Sequence, residues 1–149
     1  MTLKENLYQQ CVLTVENRFK TIQEIISSHQ KSLSSETKSS AGDKHETGRA
    51  MLQLEMEKAG QQLASIQQMK EILAKIDISK KASLASLGAL VETSLGNYFL
   101  SISSGQLIAE NKKVFAISLS SPIGKLLLGK KVGDLLNFNG KEINIQKIS

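Results

Sequence analysis

Apolar residues in the first half of the chain recur at alternating intervals of four and three. Tyr8, Val12, Val15, Phe19, Ile22 and Ile26 form one such series, which His29 and Leu33 continue. A second series runs through Leu52, Met56, Ala59, Leu63 and Ile66, then Met69 or Lys70, then Leu73 and Ile76. This spacing places one narrow apolar stripe along one face of each of two helices. Such a stripe resembles a coiled-coil seam, and neither helix can bury it alone. Packing the two against each other as an antiparallel hairpin is the simplest solution. The spacing predicts helices over about residues 3–33 and 45–77, each about 45 Å long at 1.5 Å per residue. Between them, residues 31–46 (KSLSSETKSSAGDKHE) are rich in Ser, Thr, Lys and Gly, as expected of an exposed hairpin tip centred near 34–46.

The period then changes. Tyr98, Leu100 and Ile102 alternate, as do Phe115, Ile117 and Leu119, and another strand is expected around Ala89–Val91. Leu135–Phe138 and Ile143–Ile148 flank Asn139-Gly140, a strong two-residue hairpin signal. One short helix interrupts the strands. Ser121 can cap it, Pro122 suits its first position and Gly129 can end it. Ile123, Leu126 and Leu127 are expected to lie on the sheet. The reading is an α+β chain: a helical hairpin over 1–79, then a small antiparallel β-domain with one short helix over 80–149.

Composition narrows the function classes. Only 4% of the 149 residues are aromatic and none is Trp, which suits a modest core. A single cysteine, Cys11, allows no intrachain disulfide and fits a reducing compartment. No apolar run approaches the roughly 20 residues that cross a bilayer, and the N-terminus has no signal-peptide pattern. A cytoplasmic location is expected. The net charge of +5 arises wholly in residues 80–149, which hold nine Lys and four acids. That excess suits an acidic partner surface or nucleic acid, or is ordinary solubilising lysine. No arginine stripe or RNA-binding aromatic motif is present, so sequence-specific DNA binding is not expected.

Two motifs carry a resemblance. The segment SPIGKLLLGKKVGD, residues 121–134, is similar to the C-terminal signature of the Gre transcript-cleavage factors, and GDKHE, residues 42–46, resembles their tip motif Gly-Asp-x-x-Glu. The order of parts also agrees, so the resemblance spans nearly the whole chain. It implies that residues 80–149 form an FKBP-like domain docking on RNA polymerase, with Ser121, Pro122, Lys125, Lys130 and Lys131 as candidate contacts. It further implies that the hairpin enters the polymerase secondary channel. There Asp43 and Glu46 would help hold a Mg²⁺ shared with the polymerase, and the polymerase itself would cleave backtracked RNA near its 3′ end. The chain would then be no enzyme and have no cofactor of its own. Carboxylates suit Mg²⁺, and acids at i and i+3 of a helical turn can face the same way. Where the family continues with Asn-x-Glu-Tyr, this chain has Thr47, Gly48, Arg49 and Ala50.

Other readings stand beside these. Asp43 and Glu46 also fit a capping box at the start of the second helix. His45 reads as a solvated tip residue, His29 as a seam histidine and Cys11 as packing. In functional terms the alternatives are a channel-binding regulator or inhibitor without cleavage activity, a coiled-coil adaptor or chaperone, and a prolyl isomerase. The last needs an aromatic-lined pocket, for which residues 80–149 offer Tyr98, Phe99, Phe115 and Phe138.

Overall fold

The computed structural model describes residues 1–35 and 47–149 in full. Of residues 36–38 and 43–46 it describes the helical backbone alone, so the side chains of Asp43, His45 and Glu46 lie outside the described residues. The chain divides into two compact units, Val15–Lys70 and a discontinuous one formed by Met1–Thr14 with Glu71–Ser149. Both helices, α1 (Leu3–Lys38) and α2 (Asp43–Ala74), contribute to both units.

In the unit Val15–Lys70 the helices run antiparallel. Arg18 Nη1 meets Met69 Sδ at 3.9 Å, the Lys70 ammonium lies 3.5 Å from the centroid of the Phe19 ring, and His29 Nε2 faces Glu55 Oε2 at 3.4 Å. Val15, Ile22, Ala59 and Ile66 are the buried residues of this seam, with Phe19, Ile26, Leu33, Leu52, Met56, Leu63 and Met69 half-buried around them. Two seams of spacing four and three can bury only a strip, and Met51 and Leu54 remain exposed.

The other unit holds a six-stranded sheet: β1 (Leu90–Thr93), β2 (Asn97–Ser101), β3 (Gly105–Ala109), β4 (Lys112–Ser118), β5 (Leu135–Phe138) and β6 (Lys141–Ile148), in the order β3-β4-β2-β1-β6-β5. Four of its pairings are antiparallel, but β2 and β4 run parallel, with Phe99 opposite Ala116. The sheet is mostly antiparallel, in line with the expected fold class, and the parallel pair is a feature the expectation did not include. Strand β3 takes the place of a direct β2–β4 hairpin, so the chain returns in the same direction. The β3–β4 turn is made by Glu110 and Asn111, both at positive φ (52° and 63°). The β5–β6 turn uses Asn139 and Gly140, also at positive φ, as the dipeptide predicts.

Each face of the sheet has its own cover. On one, Val91, Leu100, Leu136, Ile143 and Ile145 pack with α3 (Pro122–Leu127) through Ile123 and Leu127. On the other, the first turns of α1 approach β2 and β3. The Cys11 thiol lies 3.8 Å from the Ser101 hydroxyl, and Gln10 Nε2 donates to the Ile108 carbonyl at 2.9 Å. Leu7 and Cys11 are fully buried, whereas Tyr8 and Val12 of the expected stripe are half-buried. Tyr8 instead donates its hydroxyl to the Leu73 carbonyl at 2.9 Å. The burial register shifts because the beginning of α1 serves the sheet as well as α2.

Candidate functional site

The segment Ser121–Asp134 is built from local backbone chemistry. Ser121 is the N-cap of α3: its Oγ accepts from Gly124 N at 3.1 Å and donates to the Ser118 carbonyl at 2.7 Å. Pro122 stands at the first helical position, where a missing N–H costs nothing. Helix α3 turns its Ile123–Gly124–Leu127 face inward. Leu126, expected on the sheet, is 36% exposed; the short helix has room for only one buried face, and the close approach at Gly124 fixes which one it is. A β-carbon on Gly124 would collide with the Ser118 carbonyl oxygen.

The helix ends where Leu128 N bonds the Gly124 carbonyl at 3.0 Å, and Gly129 follows at φ 81°. The next turn is fastened on three sides. Gly129 N donates to the Ala85 carbonyl at 2.7 Å, and Ala85 N donates to the Lys130 carbonyl at 2.8 Å. Asp134 Oδ2 accepts from Lys131 N at 2.9 Å, and Asp134 N returns a bond to the Lys131 carbonyl at 3.1 Å. Gly133, at φ 93°, donates to the Ile145 carbonyl at 2.8 Å.

The candidate contact residues therefore separate by environment. Ser121 is half-buried and bonded internally through its hydroxyl, and Lys130 is half-buried. Pro122, Lys125 and Lys131 are exposed. Interleaved with them are exposed apolar side chains absent from the sequence reading: Leu128 and Val132 on the same segment, Leu135 just after it, and Leu84, whose backbone bridges to Lys131. The signal was available in the run LLLGKKV. A helix of this length cannot bury three consecutive leucines, and only Leu127 goes inside. A fixed turn bearing lysines and exposed apolar groups together has the chemistry of a protein-docking surface.

Beyond the tip motif, Thr47 is exposed, while Gly48 and Arg49 are half-buried. Among the described residues no cluster of three His, Cys, Asp or Glu side chains is placed to hold a metal ion, and no helix is long and apolar enough to cross a membrane.

Fold and site together define a two-part α+β protein, an antiparallel helical hairpin joined to a sheet unit that displays a rigid, lysine-bearing turn. No protein-family model and no curated protein matches the chain. Among solved structures, that of the transcription factor Gfh1 is similar over 95% of this chain and 92% of that one, at 21% sequence identity and a TM-score of 0.32.

Proposed function

We propose that this chain is a transcription elongation factor that docks on RNA polymerase through the Ser121–Asp134 segment and places its hairpin tip in the secondary channel. There Asp43 and Glu46 assist the polymerase in cleaving backtracked RNA. The observation that carries this reading is the segment itself. Its Gre-like residues are used for geometry, with Ser121, Gly124, Gly129, Gly133 and Asp134 holding the backbone, while Lys125 and Lys131 remain free at the surface beside exposed apolar side chains. The antiparallel hairpin supplies the second part that such a factor needs. In this role the tip carboxylates supply oxygen ligands for a Mg²⁺ held jointly with the polymerase, and hydrolysis belongs to the polymerase. Contact with the RNA 3′ end is indirect.

A second reading, a channel occupant that regulates polymerase without promoting cleavage, is favoured by Arg49, a cation where the family carries an acid. One experiment separates the two. Purified protein is added to stalled elongation complexes from the same organism, and both co-purification and RNA cleavage are measured. Binding with accelerated cleavage supports the first reading, binding without cleavage the second, and absence of binding rejects both. Lys125→Glu together with Lys131→Glu is expected to abolish co-purification.

A further inference from the structure

The sheet-containing unit has a cavity of about 280 Å³ lined by none of the Ser121–Asp134 residues. Lys4, Lys75, Lys80 and Lys81 line it, and Asp77 is the single acid in its lining. Lys4 comes from the first turn of α1, and its Nζ donates to the Lys80 carbonyl at 3.0 Å, which fixes the loop after α2 against the helix start. Asp77 is engaged by its own loop. Its Oδ1 accepts from Ser79 N at 3.0 Å and from the Ser79 hydroxyl. These bonds, with lesser contributions from the charges of Lys80 and Lys4, hold its carboxyl below the usual range. Burial pushes the Lys4 ammonium below its ordinary value, with Asp77 opposing.

A neighbouring cavity of about 550 Å³ shares Lys4, Lys80 and Lys81 but is richer in acids, with five lysines against three glutamates. Its lining adds Glu5, Glu92 and Glu110, and Glu92 holds Lys112 and Lys147 at 3.2 and 4.0 Å. Lys75, Lys80 and Lys81 form no ion pair among the described residues. The excess of lysine over acid is thus greater around the smaller cavity, where a concave wall concentrates the potential. Lys75, Lys80 and Lys81 are exposed, so their ammonium groups can reach an anion entering the cavity.

We propose that this cavity is a binding site for a compact oligophosphate, a pyrophosphate- or triphosphate-bearing small molecule, held by Lys4, Lys75, Lys80 and Lys81. Four ammonium groups against one carboxylate leave three positive charges to be met, more than a single carboxylate could neutralise and well suited to linked phosphates. Lysine binds phosphate as a point charge from any direction, whereas recognition of peptide carboxylates favours the planar fork of arginine, absent from this lining. The site is independent of the polymerase reading.

The test titrates the full chain with sodium tripolyphosphate at low salt, followed by calorimetry and by backbone amide NMR shifts. One saturable site is expected, with shifts centred on residues 4, 75–81 and 86–88 and affinity falling as salt rises. Lys75→Gln/Lys80→Gln/Lys81→Gln should weaken binding roughly tenfold or more, while Lys20→Gln/Lys31→Gln/Lys58→Gln, with the same loss of charge elsewhere, should change it less than about twofold. Circular dichroism confirms that both variants are folded. ATP binding tighter than tripolyphosphate identifies a nucleotide as the source of the phosphates, and equal affinity identifies the free anion. Non-saturable binding, equal losses in the two triple variants, or tighter binding of a hexaglutamate peptide would overturn the proposal.

Discussion

Gly124 lies against the carbonyl of Ser118 with no room for a side chain between them. The residue permits the start of α3 to sit down on the end of β4. Gly124→Ala must therefore push the helix off the strand. We expect a stability loss of about 1–3 kcal/mol, the usual range for overpacking, read as a lowered denaturation midpoint at constant slope. An unchanged midpoint would show that the segment is looser than its geometry implies.

Ser121 couples the same helix to the same carbonyl. Ser121→Ala removes the cap and is expected to cost about 0.5–2 kcal/mol, whereas Ser121→Asp, which can still accept from Gly124 N but cannot donate to the Ser118 carbonyl, should recover only part of the loss. Polymerase binding by the Asp variant should be retained, since the serine hydroxyl is turned inward. If Ser121→Asp is stable yet fails to bind, Ser121 touches the partner directly.

Cys11 gives a pH dependence with a definite sign. Burial raises its thiol above the ordinary cysteine value, partly offset by the Ser101 hydroxyl. The unfolded chain then loses this proton before the folded one does as pH rises. The contribution of Cys11 to stability is complete below about pH 8.5 and is lost as pH climbs toward the raised folded value. The cost of Cys11→Ala, measured by chemical denaturation, should accordingly be smaller at pH 9.5 than at pH 7. A cost that grows over this range would contradict the buried, neutral thiol.

At the tip, Asp43→Asn and Glu46→Gln should abolish stimulated cleavage while polymerase binding persists. The amides keep shape and most capping capacity but remove the charge that attracts Mg²⁺. If the acids serve only as a helix cap, cleavage survives both changes and Asp43→Ala alone destabilises, by about 0.5–2 kcal/mol. Arg49→Glu should raise cleavage at limiting Mg²⁺ if the Arg49 charge opposes the metal.

How much of this was legible depended on whether the signal was local. Asn139-Gly140 and Ser121-Pro122 write their turn and cap into adjacent residues, so both are legible in the sequence. The Glu110-Asn111 turn needs the same positive φ without a glycine to announce it, so no local signal marks the end of β3. The parallel β2–β4 pair depends on where distant strands settle, which no local pattern records. Leu7 and Cys11 outrank Tyr8 and Val12 in burial only because a sheet lies beside α1, so the helical period alone misplaced the stripe. Gly124 is explained by a carbonyl six residues earlier, and α3's single buried face sends Leu126 outward. The tip acids were found by resemblance, and their side chains lie outside the described residues.

The discontinuity of the sheet-containing unit has a consequence for how the chain is made. Met1–Thr14 leaves the ribosome before the hairpin that follows it, yet Cys11 meets Ser101 only after that hairpin and strands β1 and β2 have emerged. Val15–Lys70 is topologically an insertion, and its helices can pair without any residue of the sheet. Closing that hairpin brings Thr14 back beside Glu71 and shortens the effective loop that the N-terminal turns must close to reach the sheet. A mutation that weakens the seam at Ile22 or Ile66 should then delay maturation of a sheet to which neither residue belongs, so folding kinetics would link two regions that equilibrium energetics can keep apart.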